Sequence, residues 1–265
     1  MKISIIFLAL FVAITVFPGC KKSPEQELAV TVHFSVGNAR IVSAGGEKAA
    51  VSGDSISFND TIVTGAASIV DLNFGSKGII RIVENSSVRM AQIQPSPGTS
   101  QVQFDMEKGK IVVIMSKLSR ATDFSVRTPT TIAAIRGTSF MVVSDPGSSK
   151  IYVLKGRILV QLAREGKLAG NIEKMLEANK KVVVSEDLVN QIVAGKKDIE
   201  VVSLNPKEIS DIKKEIKDIK ASDKLDAEAQ KEFAEILRDA DEKPGAAKKG
   251  RTEPQNQDIQ SIPSI

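Results

Sequence analysis

The chain is poor in the residues that build covalent, metal and catalytic sites. Its 265 residues include one cysteine, one histidine, one tyrosine and no tryptophan. Because Cys20 has no second cysteine to pair with, an intramolecular disulfide is excluded, and stability must come from packing and backbone pairing. One His and one Cys also argue against a zinc or other soft-metal site. We therefore expect no metal and no cofactor.

Catalytic residue sets are equally sparse. A Ser-His-Asp triad would need His33, which lies in a run typical of a β-strand, and no Gly-rich phosphate loop opens a helix. Carboxylates at Asp54, Asp60, Asp71 and Glu84 are interpreted as turn residues or solvated faces. A glycosidase-like pair of carboxylates remains open from sequence alone. Our expectation is that the protein is not an enzyme.

The charge balance does not favour nucleic acid as a partner. The formal net charge is +4 and the pI is about 9.0, but basic residues are interspersed with acidic ones rather than clustered. Aromatic residues make up 4% of the chain and hydrophobic residues 42%. A core of ordinary size is therefore expected, and it has to be mostly aliphatic.

The first twenty residues are typical of a targeting segment. Lys2 is followed by an uncharged run, Ile3 to Phe17, and then by Pro18, Gly19 and Cys20. The run suits the apolar region of a signal peptide, whereas a spanning helix needs about 20 residues. The segment resembles a bacterial lipobox of the looser, spirochaete-like kind, with Phe17 and Pro18 where a Leu and a small residue are usual.

This resemblance implies a lipoprotein. Cleavage before Cys20 would leave its thiol carrying diacylglycerol, with palmitate among the acyl chains, and would anchor the chain to a membrane. We expect a cell-envelope location, in the outer membrane and facing the periplasm or the cell surface. The alternatives are an incidental cysteine behind an ordinary secretory signal and a short retained anchor. No later segment is apolar enough to predict a membrane span.

Residues 30 to about 162 have strand chemistry throughout. Short runs rich in Val and Ile alternate with Gly, Asn, Asp and Ser at intervals of roughly 8 to 12 residues. This pattern predicts a mainly β fold of many short strands, arranged as a sandwich, barrel or β-roll or β-helix-like coil. The periodicity does not give the topology.

The pattern becomes helical after Asn205-Pro206, which we interpret as a break. Ile209, Ile212, Ile216 and Ile219 recur at helical spacing among alternating charges. A second helix is predicted over 223–241, with Ser222 as its N-cap residue. The isoleucine stripe is shorter than the three or four heptads of a coiled coil. Packing on the β domain is therefore favoured over self-association through residues 207–240.

One segment carries a family resemblance. The sequence FSVRTPTTIAAIRGTSFMV, residues 124–142, resembles the core signature of the FecR domain family. Gly37, Gly53-Asp54, residues 60–65 and residues 153–156 agree with that pattern in order and spacing. The resemblance covers about 31–162 and implies a FecR-like β-roll or β-helix-like domain. In iron-transport regulators this domain relays a signal through the envelope to a sigma factor, but the regulator's cytoplasmic region and spanning helix are not predicted here.

The signature residues are interpreted as mainly structural. Thr128-Pro129 predicts a transition from an extended strand to a turn, and Gly137 a conformation or close approach that excludes a side chain. Thr138 and Phe140 complete the signature. Arg136 has two readings: a contact to a ligand carboxylate or phosphate, or a buried charge paired with Asp54, Asp60 or Asp71. The structural reading is favoured.

Together these features predict six segments and a non-catalytic role. The segments are a signal peptide (1–19), a tether (20–30), a FecR-like β domain (31–162), a mixed extension (163–205), charged amphipathic helices (206–241) and a disordered tail (242–265). The expected function is a lipid-anchored binding or scaffolding module for an unidentified envelope protein or glycan. The alternative is an envelope signalling component related to FecR-type sigma regulators.

Overall fold

The computed structural model describes residues 29–92, 100–118, 122–135 and 137–241, which form seventeen β-strands and three α-helices. The first nine strands are β1 (Val30–Val36), β2 (Ala39–Ser43), β3 (Gly46–Ala49), β4 (Ser55–Ile56), β5 (Thr61–Thr64), β6 (Ile69–Phe74), β7 (Gly78–Ile82), β8 (Ser87–Gln92) and β9 (Ser100–Met115). The others are β10 (Thr122–Arg127), β11 (Thr131–Ile135), β12 (Ser139–Asp145), β13 (Ser148–Lys155), β14 (Arg157–Arg164), β15 (Lys167–Glu177), β16 (Lys180–Ser185) and β17 (Val202–Ser203). The helices are α1 (Glu186–Val193), α2 (Pro206–Lys217) and α3 (Ala227–Asp241). A mainly β fold of many short strands, followed by C-terminal helices, is thus confirmed.

The strands form two sheets that share β9. The front sheet has the order β4-β1-β6-β7-β9-β12-β13-β16-β17, with antiparallel neighbours throughout. The back sheet has the order β3-β2-β5-β8-β9-β10-β11-β14-β15, in which β9 and β10 are parallel. Strand β9 passes from one sheet to the other at Gly109, whose φ is +110°. A Cβ there would lie 2.1 Å from Ser86 Oγ, so only glycine fits this bend.

The two sheets pack face to face around one aliphatic core. Inward side chains of both sheets belong to a single buried cluster that runs the length of the sandwich. Phe74 of the front sheet meets Phe124 of the back sheet edge to face, with ring centroids 5.1 Å apart. The ring centroid of Phe104, also in the back sheet, lies 5.5 Å from that of Phe124. Burial of each such side chain stabilises the fold by roughly 1.5–3 kcal/mol.

A second, separate core lies on the outer face of the front sheet. Helices α2 and α3 cover this face, and their buried residues include Ile212, Ile216 and Phe233. The sheet contributes outward side chains of β7, β9 and β12, among them Ile79, Val112, Ile114 and Met141. The helices thus pack on the β domain, and the front sheet separates the two cores.

The segment boundaries differ from the predicted ones. Residue 162 falls inside β14, and β15 and β16 continue the two sheets, so residues 163–205 are largely part of the sandwich. The break at Asn205-Pro206 is a helix start, because Asn205 Oδ1 accepts a hydrogen bond from Glu208 N at 2.9 Å and Pro206 opens the first turn. The predicted cap at Ser222 is wrong: Asp226 Oδ1 accepts from Ala229 N at 2.9 Å. The signal peptide, most of the tether and the tail from 242 lie outside the described residues.

Candidate functional site

The Thr-Pro signature forms a buried polar junction between the two sheets. Thr128–Thr131 is the turn from β10 to β11, and Thr128 Oγ1 accepts from Thr131 N at 2.9 Å. Ser149, on β13 of the front sheet, donates to Thr128 Oγ1 at 2.8 Å. Thr130 Oγ1 lies 2.7 Å from Ser149 Oγ and donates to the carbonyl of Val184 at 3.1 Å. This hydroxyl network joins the back sheet to β13 and β16, so the turn holds the sandwich together.

The second half of the signature is also directed into the protein. Gly137 has φ +104°, and a Cβ on it would lie 2.5 Å from Lys117 Cα. The Thr138 hydroxyl donates to the carbonyl of Arg157 at 2.9 Å. Phe140 is fully buried in the main core. These positions fix the backbone and leave little surface for a partner.

Arg136 lies outside the described residues, as does Cys20. The three acids considered as partners of Arg136 have other contacts. Asp54 and Asp60 accept hydrogen bonds from backbone N–H groups within their own turns. The interpretation of Asp71 as a turn residue or part of a solvated face is wrong, because Asp71 is buried in β6.

Asp71 takes part in a buried ion pair beneath the helices. Arg81 Nε donates to Asp71 Oδ1 and Arg81 Nη2 to Asp71 Oδ2, both at 2.7 Å. The two side chains are 3% and 1% exposed. The remaining nitrogen, Arg81 Nη1, donates to the carbonyl of Glu215 in α2 at 2.9 Å. Arg81 therefore connects the outer face of the front sheet to the helix that covers it.

Five further ion pairs between the sheet and the helical segment have the same polarity. The front sheet supplies the cation and the helical segment the anion in each of Lys77–Asp226 (2.6 Å), Lys110–Glu215, Lys155–Glu232 (2.6 Å), Lys155–Glu235 (2.9 Å) and Lys181–Glu208. We call residues 205–241 the helical cap. The docking face is the outer surface of the front sheet: an apolar centre on β7, β9, β12 and β13, and a basic rim of Lys77 in the β6–β7 turn, Lys110 on β9, Lys155 on β13 and Lys181 on β16.

The acidic groups of the cap have their pKa values held down. Hydrogen bonds from the backbone of Asn205 and from Lys181 lower the pKa of Glu208 below its ordinary value. Burial alone raises the pKa of Asp226, but hydrogen bonds from Lys77 and from the backbone N–H of Ala229 outweigh it, and the net pKa is lowered. Both carboxylates are therefore stabilised in the charged form that the basic rim requires.

Tyr152, the one tyrosine of the chain, lies under the cap. Burial raises the pKa of its phenol. Burial lowers the pKa of the neighbouring Lys155, but its hydrogen bonds to Glu232 and Glu235 prevail and raise it. Because the chain has no tryptophan, Tyr152 is a natural spectroscopic reporter of the docking face.

A smaller charged cluster lies on the outer face of the back sheet. Asp105 accepts from Arg127 Nε and Nη2 at 2.8 and 2.6 Å, and from Arg89 Nη2 at 2.5 Å. Arg89 is 46% exposed, whereas Asp105 is 14% exposed. Two guanidinium groups share one carboxylate, so the cluster keeps a net positive charge.

His33 lies on β1, as its surroundings predicted, and is half-buried, with its carbonyl accepting from the Ser52 hydroxyl at 2.9 Å. Within residues 29–92, 100–118, 122–135 and 137–241, no three His, Cys, Asp or Glu side chains are grouped as metal ligands. Over the same residues, no helix combines the length and apolar character needed to cross a bilayer.

Sequence reasoning did not identify the docking face. The available signal was Arg81, a charge inside the apolar run of β7 that alternation placed opposite Ile80 and Ile82. A second signal was the acidic content of the isoleucine-striped helices. Neither signal pairs a particular lysine with a particular acid, because their sequence separations range from 27 to 149 residues.

The comparison with protein families agrees with the signature. Residues 60–159 match the family model described as FecR protein. Two crystal structures, at 1.65 and 2.50 Å resolution, of a "putative anti-sigma factor" from Parabacteroides distasonis ATCC 8503 are similar at 14% identity, with a TM-score of 0.39. Each alignment covers 55% of this chain and 59% of that chain, so the present chain spans about three fifths of that protein. A comparison with curated proteins finds no match.

The predicted family resemblance is confirmed over a shorter range than expected. The match begins at Asp60, so Gly37 and Gly53 lie outside it. It runs from the residue before β5 to the third residue of β14 and includes both halves of the signature. Within this chain, residues 60–159 are thus identified as a FecR domain.

Proposed function

We propose that this chain is a non-catalytic regulatory protein of the cell envelope, held at a membrane by lipid on Cys20, whose FecR domain binds a protein partner and transmits its state. The FecR domain at residues 60–159 is the observation that carries the proposal. The signalling alternative from the sequence therefore takes precedence over the purely scaffolding one.

The lipid anchor is the part of the proposal that rests on the sequence alone. Gly19-Cys20 after an apolar run has the order that lipid attachment to the thiol requires. One acyl chain holds a protein only marginally, and two or three make attachment effectively permanent. An anchored chain would have to signal to another protein of the envelope.

Metabolic labelling with a palmitate analogue tests the anchor. The wild-type chain should be labelled and should sediment with membranes, whereas Cys20→Ala should be unlabelled and released or retained as precursor. Lys22→Ala, which leaves both the signal peptide and the thiol intact, is the matched control and should still be labelled. An unlabelled wild-type chain would refute the anchor.

The regulatory role needs a separate readout. Transcript profiles should be compared between cells with wild-type protein, cells without it and cells with Cys20→Ala at equal expression. A regulator is expected to change a defined set of transcripts, and anchoring should be required for the change. If loss of the protein alters envelope composition or cell shape while transcripts stay unchanged, the scaffolding function is favoured instead.

A scaffolding role has one specific observation in its favour. The Arg89–Asp105–Arg127 cluster presents a net positive charge on the outer face of the back sheet. Such a surface suits an anionic protein or glycan. Arg89→Ala would weaken that binding and leave transcripts unchanged if scaffolding is the main role.

A further inference from the structure

The docking face and the helical cap pack against each other through a core of their own, which is separate from the main core of the sandwich. The cap buries its apolar residues in a cluster that shares no residue with the main core. The front sheet lies between them, so removal of the cap would expose the docking face without opening the sandwich. Strand pairing within the front sheet does not involve the cap either.

The rim of this surface is built from weak contacts. The four lysines of the rim have side chains between 19% and 38% exposed. Half-exposed ion pairs of this kind each contribute little and weaken with salt. Their common polarity gives orientation and selectivity rather than strength.

The buried charge on the docking face is satisfied without the cap. Asp71 holds two of the Arg81 nitrogens within the sheet, so of the three Arg81 hydrogen bonds undocking would break the one from Nη1 to the carbonyl of Glu215. Because the bidentate pair with Asp71 neutralises the Arg81 charge within the sheet, the docking face can exist both covered and uncovered. The remaining Arg81 N–H would be free for another helix carbonyl.

From these features we propose that the docking face is a receptor for an acidic amphipathic helix of a partner protein, and that the cap occupies it in cis as a competitor. This inference rests on the proposed function, since it names the surface and the class of partner for the regulatory role. A partner helix would present an apolar stripe over Ile79, Ile114 and Met141 and carboxylates to the basic rim. Its binding would displace α2 and α3, and the displaced cap would carry the signal.

A labelled synthetic peptide of residues 205–241 serves as the acidic-helix probe, and the receptor is the full chain. The double variant Glu232→Lys/Glu235→Lys removes both cap carboxylates that pair with Lys155. It therefore loosens the chain's own cap and leaves the residues of the docking face unchanged. The peptide should bind this variant at least about tenfold more tightly than wild type, because the competitor in cis is weakened. Adding Lys155→Glu to the loosened chain should remove most of the gain. Adding Lys48→Glu, on β3 of the back sheet and paired with Asp54, should not.

Peptide that binds the loosened and wild-type chains equally, or neither, would overturn the inference. Folding of each variant is checked by the strand signal in circular dichroism, and cap position by acrylamide quenching of Tyr152. If the loosened variant is unstable, a salt titration of wild type replaces it: Tyr152 should become accessible while the strand signal is retained. Simultaneous loss of both signals would show that the cap is inseparable from the sandwich and would also refute the inference. The proposed function stands or falls on the transcript profiles, which do not depend on these binding results.

Discussion

Replacing Arg81 by methionine should destabilise the protein far more than removal of any exposed charge. The substitution leaves the Asp71 carboxylate 1% exposed, with neither of its two 2.7 Å hydrogen bonds from Arg81. Methionine fills much of the volume, so the main effect is an unpaired buried charge rather than a cavity. Loss of one partner of a buried pair costs about 3–5 kcal/mol.

The matched double variant separates charge from packing. Arg81→Met/Asp71→Leu removes both charges and leaves an apolar pair under α2. Because apolar replacements of buried pairs are often neutral or stabilising, the double variant should recover at least about half of the loss. The lost bond to the Glu215 carbonyl accounts for a further cost of about 1–3 kcal/mol in both variants.

Urea unfolding followed by circular dichroism measures these differences. For a domain of this size, the Arg81→Met loss corresponds to a melting temperature lower by about 6–20 °C. Arg40→Met is the control, since its pair with Glu47 is 44% and 46% exposed and contributes about 0–1 kcal/mol. A loss for Arg81→Met no larger than that control, or a double variant less stable than the single one, would refute the reasoning.

Three further predictions address the signature and the cap. Gly137→Ala should lower the free energy of unfolding by about 1–3 kcal/mol, whereas Gly45→Ala, in open space, should be neutral in the same urea experiment. Thr130→Val, which removes a buried hydroxyl, should cost about 1–3 kcal/mol; an unchanged melt would contradict the junction. The pKa of Glu208 is lowered on folding, so its contribution is complete above its ordinary value of 4.5 and is lost as pH falls through the folded value. Acrylamide quenching of Tyr152 should therefore rise below about pH 4.5 before strand structure is lost, and constant quenching would exclude this coupling.

The fold class was predictable because it depends on local patterns. Alternating Val and Ile runs with regular turn residues predicted the strands, and the isoleucine spacing predicted α2. Two boundaries were predicted wrongly for physical reasons. Asp226 caps α3 because its carboxylate reaches Ala229 N, while the Ser222 hydroxyl accepts only from Lys224 N in the preceding turn. Residues 163–205 looked mixed because β15 is mostly exposed and lacks clean alternation.

The docking face was not predictable because it depends on which strands become neighbours. Lys77 lies in the turn before β7, while Lys110 and Lys155 lie on β9 and β13, and the antiparallel pairing of β7, β9, β12 and β13 brings all three to one side of the front sheet. Asp71 looked like a solvated acid because alternation identifies the face of a strand but not what covers it. The turn at Thr128–Thr131 and the positive φ of Gly137, in contrast, depend on local requirements, which a sequence pattern can indicate.

The FecR domain and the cap have different parts in the proposed function. The match at residues 60–159 contains Lys77, Arg81, Lys110 and Lys155, whereas the cap lies wholly beyond it. Thr128, Thr130 and Phe140 of the signature face inward, where the two threonines join the two sheets, so these residues determine the scaffold rather than the partner. Selectivity for a partner must then depend on the outward side chains of the front sheet and on the segment that covers them. In this chain the cover is supplied by the acidic helices, and the salt and pH dependence of the docking face follows from their charges.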